Sequence, residues 1–225
     1  MSGGGHNLSF SPAFTLAEVL ITLGIIGIVA ALTIPSLTAN HRKKVLGSKL
    51  KKFYSIMSQA VIMSEAEQGA SVSEWDTFSS NYNVDEMEQW FNKYLKDYLN
   101  IIKQEKKERF LYVALSDGTG FRIFNHMTSV EQIHLYFCTD YSKCSNLPDG
   151  KYVFTFRFIN NKFATYMEGT TMNLEQMTSP SLSSSCSKET VKANREAHFC
   201  STLLQKNNWE VPDYYPIKLS YRLHL

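Results

Sequence analysis

The stretch SPAFTLAEVLITLGIIGIVAALTIPSL, residues 11–37, carries a single charge, Glu18, near the start of an apolar run. Sixteen residues from Val19 to Ile34 pass without a charge, and in the twenty-four residues Phe14–Leu37 only Glu18 is ionisable. At 1.5 Å per residue such a helix spans a hydrocarbon core about 30 Å thick. A carboxylate at the centre of that core costs about 2.5–3.5 kcal/mol on insertion scales, so its presence asks for a reason. A secretory signal places its small-residue cleavage site after the apolar core. Here the small pair Pro12-Ala13 comes before it. A cut at that point leaves the apolar segment on the mature chain as an anchor.

Ala13-Phe14-Thr15-Leu16-Ala17-Glu18-Val19 resembles the N-terminal processing motif of type IV pilins and type II secretion pseudopilins. That motif is a small residue, then Phe-Thr-Leu-x-Glu, then an apolar helix. The resemblance implies cleavage between Ala13 and Phe14 by a prepilin peptidase and N-methylation of Phe14. It implies that Glu18 pairs with the Phe14 amine of a neighbouring subunit during assembly, each charge offsetting part of the other's burial cost. Pro35 matches the helix-kinking proline of many pilins. Two features depart from the family: Ala13 stands where glycine is usual, and the leader MSGGGHNLSFSPA has no Lys or Arg. The resemblance covers residues 13–37.

What it implies for the whole chain is an α+β protein. A leader, 1–13, precedes a transmembrane assembly helix, 14–37, and an amphipathic continuation, 38–68. A globular head, 69–225, follows, with a four- or five-stranded antiparallel sheet packed on the long helix and additional helices. The implied function is a structural subunit of a type IV pilus or a type II secretion pseudopilus. The implied partners are other pilin or pseudopilin subunits, the prepilin peptidase, and an inner-membrane platform whose ATPase does the work. The alternative is a minor tip subunit whose head binds DNA, a surface or secreted cargo. The implied location is the inner membrane, single-pass, with the head outside the cytoplasm.

Charge placement bears on that orientation. Residues 42–52 hold six cations (Arg42, Lys43, Lys44, Lys49, Lys51, Lys52) and no acid. By the positive-inside rule alone, the following domain would be cytoplasmic; the cysteines and the processing motif argue for the outside. The run reads as a solvated helix face beside a membrane, with DNA or anionic lipid as the rival partner. A net charge of +2 gives no global signature for nucleic acid.

Four cysteines, Cys138, Cys144, Cys186 and Cys200, suggest disulfides in an exported domain. Three pairings exist, and spacing favours the two local loops, Cys138–Cys144 and Cys186–Cys200. Zinc is the rival, but neither spacing is the C-x2-4-C of structural sites. Asp117, Asp140 and Asp149 lie in turns that are candidates for calcium; no EF-hand spacing is present, and turn chemistry explains each. No metal or other cofactor is expected.

Leu46, Leu50, Phe53, Met57, Ala60 and Ser64 recur at three- and four-residue steps, which extends the helix to Gln68, roughly 80 Å in all. Gly69 stops it, and Gly47 weakens it by about 1 kcal/mol relative to Ala. Thr33 is placed to satisfy the carbonyl freed by Pro35. Small residues Gly24, Gly27, Ala30 and Ala31 allow close helix packing in lipid. A second helix is expected from Asn83, capped by an N-x-x-E box through Glu86, with an aromatic face running to Tyr98 and Ile102. Residues 103–109 read as an exposed turn. Strands follow from residue 110, the last two joined by Asn160-Asn161. Ser187 caps a last helix over about 188–207, and the Trp- and Pro-bearing tail wraps the head. No nucleophile elbow, paired metal histidines, P-loop or dinucleotide fingerprint occurs. His198 beside Cys200 is the nearest approach to a reactive pair, and a disulfide at Cys200 removes it. The chain does not read as an enzyme.

Overall fold

The computed structural model describes residues 15–219. The chain forms two compact units that divide after His41. Helix α1 (Leu16–Gln68) is the sole described element of the first unit and enters the second. The second unit starts at Arg42 and so takes in the amphipathic continuation of α1, and the cause is burial. Leu46, Leu50, Phe53, Met57, Ala60, Val61 and Ser64 are all buried in the second unit. The three- and four-residue spacing that predicted the stripe is the geometry that buries it. Gly69, at φ +66°, ends the helix in the left-handed region.

The stripe packs on one sheet of six strands, one more than the upper end of the expectation. The strands are β1 (Ile101–Lys107), β2 (Phe110–Leu115), β3 (Gly120–Asn125), β4 (Ile133–Cys138), β5 (Val153–Ile159) and β6 (Lys162–Thr165). Each pairs antiparallel with the next, in the order of the chain. Phe53 is the hub of the contact. Its ring stacks on Phe137 at 4.1 Å and meets Phe156 and Phe163 edge-on at 5.4 and 5.8 Å. Such aromatic pairs add about 0.5–1.5 kcal/mol each beyond the area they bury.

The other sheet face is buried too, which is why FLYVAL is a continuous buried run rather than an alternating one. Phe110, Tyr112, Phe124, Tyr136 and Val153 form a second apolar layer there with Cys138 and Cys144. Arg122 lies between the rings of Phe110 and Tyr136, 4.4 and 4.9 Å from their centres. Its guanidinium donates to the carbonyls of Ser145 and Asn146.

Helix α2 (Val84–Tyr94) starts where expected, with Asn83 accepting from the Glu86 amide. The box is not closed, because the Glu86 side chain instead accepts from the amide and hydroxyl of Ser79. The aromatic face does not run on to Ile102: the helix ends at Tyr94, and Ile101–Lys107 is the edge strand β1, not a turn. Contacts with α2 hold it there. Gln104 donates to Glu88 and Asn92, and Lys106 bridges Asp85 and Glu88 at 2.8 and 2.9 Å. Three short helices follow: α3 (Leu174–Thr178), α4 (Lys188–Lys192) and α5 (Phe199–Lys206). The single helix expected over 188–207 is two. Asn194, at φ +54°, breaks it, as an asparagine just past a helix end can.

Candidate functional site

The apolar segment of α1 begins with a cap. Thr15 donates its amide and its hydroxyl to Oε2 of Glu18, each at 2.8 Å, and the Glu18 amide donates back to the Thr15 hydroxyl at 3.2 Å. This is a capping box, which satisfies helix-end donors that otherwise lack partners. Glu18 Oε1 has no partner among the described residues. Sequence reasoning missed the cap, although T-x-x-E is its signature. Ala13 and Phe14 lie outside the described residues.

Along residues 16–37 the large apolar side chains of the helix are uncovered. Leu16 is 80 %, Leu32 74 % and Leu37 71 % exposed. Among the described residues this is the one helix long and apolar enough to cross a membrane. Gly24, Gly27 and Ala31 fall on one face, at i, i+3 and i+7, and Ala30 lies to the side. A Cβ at Gly24 or Gly27 would meet nothing within 4 Å, so neither glycine is needed for a contact inside the chain. Helix α1 continues through Pro35. Thr33 does not reach the Ala31 carbonyl that Pro35 frees; its hydroxyl donates to Val29 at 2.9 Å.

In the second unit, most of the cationic run is tied down. Lys43 bridges Asp213 at 2.7 Å, Lys52 bridges Asp117 at 2.5 Å, and Lys49 donates to the Thr139 carbonyl at 2.7 Å. The solvated face expected from sequence therefore narrows to Lys44 and Lys51, which have no partner among the described residues.

Two staples close the head as spacing favoured. Cys138–Cys144 and Cys186–Cys200 are both bonded, with S–S distances of 2.02 and 2.04 Å. A family described as "Family of unknown function (DUF6613)" matches residues 36–219. The chain belongs to the DUF6613 family. The match starts after the apolar run and Pro35, so the DUF6613 kinship rests on the stapled head and the part of α1 packed in it. No curated protein and no solved structure matches the chain.

The other candidate groups of this DUF6613 head are occupied by the fold. Asp117 accepts from Thr119 and Lys52. Burial opposes its ionisation, but these bonds outweigh it and hold its carboxyl down at about 2. Asp140 accepts from the Ser142 amide, and Asp149 from the amides of Lys151, Tyr152 and Val153. These are the turn roles expected of the three, and they are not brought together. Among the described residues no three His, Cys, Asp or Glu side chains gather as metal ligands. His198 Nδ1 and the Thr155 hydroxyl are hydrogen-bonded at 2.8 Å, and His198 Nε2 faces Glu196 at 3.2 Å, while the Cys200 sulfur is in its disulfide.

His134, on β4, rests beside Phe124, His126 and His198. Burial, and then the charges of Arg157, His198 and His126, push its pKa down to about 3, against a weaker upward pull from Glu196. Unfolded, it takes a proton near pH 6.5. The unfolded state therefore binds more protons below that pH, and the stability that His134 supports above about pH 6.5 is lost as pH falls towards 3. Between pH 7 and 5 the expected loss is about 2 kcal/mol. Urea unfolding at the two pH values measures it, and His134→Phe should flatten the difference. Glu196 stays out of that window, because its lowered carboxyl titrates at more acid pH: burial raises it, but the bond and charge of His198 outweigh that.

Proposed function

We propose that the chain is a structural subunit of a filament of the type IV pilus or type II secretion pseudopilus class. The observation that carries this reading is the uncovered apolar helix of residues 16–37 with one carboxylate at its start, placed immediately after Ala13-Phe14. An apolar surface of that extent needs a cover. Lipid covers it in a single copy, and in a filament the same helices cover one another. In lipid, helix association depends on close packing, and the Gly24, Gly27 and Ala31 face suits it.

In this reading the helix anchors the chain in the inner membrane with the head outside the cytoplasm, where disulfides persist. Prepilin peptidase cuts before Phe14. The new amine and Glu18 then supply opposite charges at the same depth, which lowers the cost of burying either. A partner ATPase on the assembly platform supplies the energy, and the chain itself performs no catalysis. Mass spectrometry of the protein from its native membrane tests the reading. The expected mature chain begins at N-methylated Phe14. An intact Met1, or a cut after Ser36, would overturn it.

A further inference from the structure

One face of α1 in the second unit has no cover. Lys44, Ser48, Lys51 and Ser55 recur at steps of four and three, opposite the buried stripe, and all four are exposed. Residues 39–64 contain six Lys and Arg and no acid, whereas residues 65–97 contain eight acids and two lysines. Glu65 and Glu67 occupy the last turn of α1, with no basic residue beside them there. A helix C-terminus favours cations, so the placement is locally unfavourable. Glu65 accepts from the Val72 amide at 3.0 Å, and Tyr98 donates to Glu67 at 2.5 Å. With exposed Glu74 and Asp97 these make four carboxylates, none in an ion pair among the described residues.

The two sets of charge do not meet within one copy. Lys51 and Glu67 are sixteen residues apart on one helix, about 24 Å at 1.5 Å per residue. That exceeds a screening length of about 8–10 Å. We propose that the exposed lysine face of α1, Lys44 and Lys51, docks head-to-tail against the acidic end of α1 in a second copy, at Glu65, Glu67, Glu74 and Asp97. Such a contact is heterologous, and its repetition builds an open array rather than a closed dimer. The inference rests on the filament reading, which supplies the repeated copies.

An anionic lipid surface is the rival partner for cations that follow a membrane segment. Its pull is strongest next to the membrane segment, at Arg42. Lys51 lies nine residues beyond Arg42, about 14 Å further along the helix, outside the range of screened attraction. Lipid also leaves the four carboxylates, which accept only uncharged donors among the described residues, without a cation.

The test is carbodiimide cross-linking of the full-length chain in vesicles, which condenses a lysine amine and a touching carboxylate to an amide with loss of water. Tryptic mass spectrometry locates the links. A link from Lys44 or Lys51 to Glu67 cannot form within one copy, so each one reports a pair. Such links, falling about tenfold when salt rises from about 50 to about 500 mM, are the expected result. Two outcomes overturn the contact. One is that both lysines stay unlinked or join only other carboxylates. The other is that links appear in phosphatidylcholine and vanish in phosphatidylglycerol, which assigns the face to lipid. A native chain that starts at Phe14 yet shows no such links overturns this contact alone. A chain with Met1 intact that shows them overturns the filament reading alone.

Discussion

Gly47→Ala is expected to destabilise the head by about 3 kcal/mol. A glycine inside a helix ordinarily costs about 1 kcal/mol relative to alanine, so propensity alone gives the opposite sign. The C-terminal tail decides the outcome. Trp209 crosses α1 at Gly47, and a Cβ there would be driven into the Trp209 carbonyl oxygen and sit 3.2 Å from its carbon. Backbone cannot swing aside as the end of a long side chain can. The Trp209 amide donates to Leu204 at 2.7 Å, and the Glu210 amide donates to Asn207 at 2.9 Å. The Trp209 ring lies 5.3 Å from Tyr54 and 6.5 Å from Phe156.

Relieving the clash means lifting the tail, and with it the contacts of Val211, of the Lys43–Asp213 bridge and of the Tyr215 hydroxyl, which donates to the Gly150 carbonyl at 2.6 Å. Denaturant unfolding of the full-length chain in detergent measures the effect. Gly24→Ala is the control: it lies outside the second unit and its Cβ meets nothing within 4 Å, so the stability of the head should be unchanged. A stabilised Gly47→Ala protein would show that the tail does not press on α1.

What was legible in the sequence was what period and local chemistry determine. The stripe from Leu46 to Ser64 has helical spacing, and every one of its residues is buried as that spacing requires. The caps at Asn83 and Ser187 each lie one residue before a helix and use the side-chain oxygen expected of them. Asn160-Asn161 turns a hairpin with both residues at positive φ. What failed was fixed by distant partners. In β1, IIKQEKK has the composition of a helix or a solvated turn; it is a strand because α2 offers Glu88, Asn92 and Asp85 to Gln104 and Lys106. Gly47 read as a defect because nothing nearby in sequence announces that Trp209, 162 positions later, needs the space. Of the candidate site, the apolar run and its acid were legible. The cap at Thr15 was legible too, as T-x-x-E before an apolar run.

That cap makes the choice of substitution at Glu18 decisive. On the proposed filament reading, Glu18→Gln is expected to leave processing at Phe14, membrane insertion and the folded head unchanged, yet to abolish incorporation into filaments. A capping box accepts glutamine as well as glutamate, so the helix start survives this change. What it removes is the negative charge. Oε2 takes both Thr15 donors and Oε1 takes none among the described residues, which leaves one oxygen free for an ammonium. Glu18→Ala removes cap and charge together, and on its own it does not separate them. The pair of variants does. If Glu18 acts as a helix cap, the Gln variant assembles and the Ala variant is impaired. If it neutralises the Phe14 amine of a neighbouring copy, both fail, because each leaves an unpaired cation to be buried in an apolar bundle. Electron microscopy of sheared filaments counts the assembled fraction, and mass spectrometry of the membrane-held remainder shows whether it was matured. Filaments of normal number and length from Glu18→Gln would rule out the charge-pairing role.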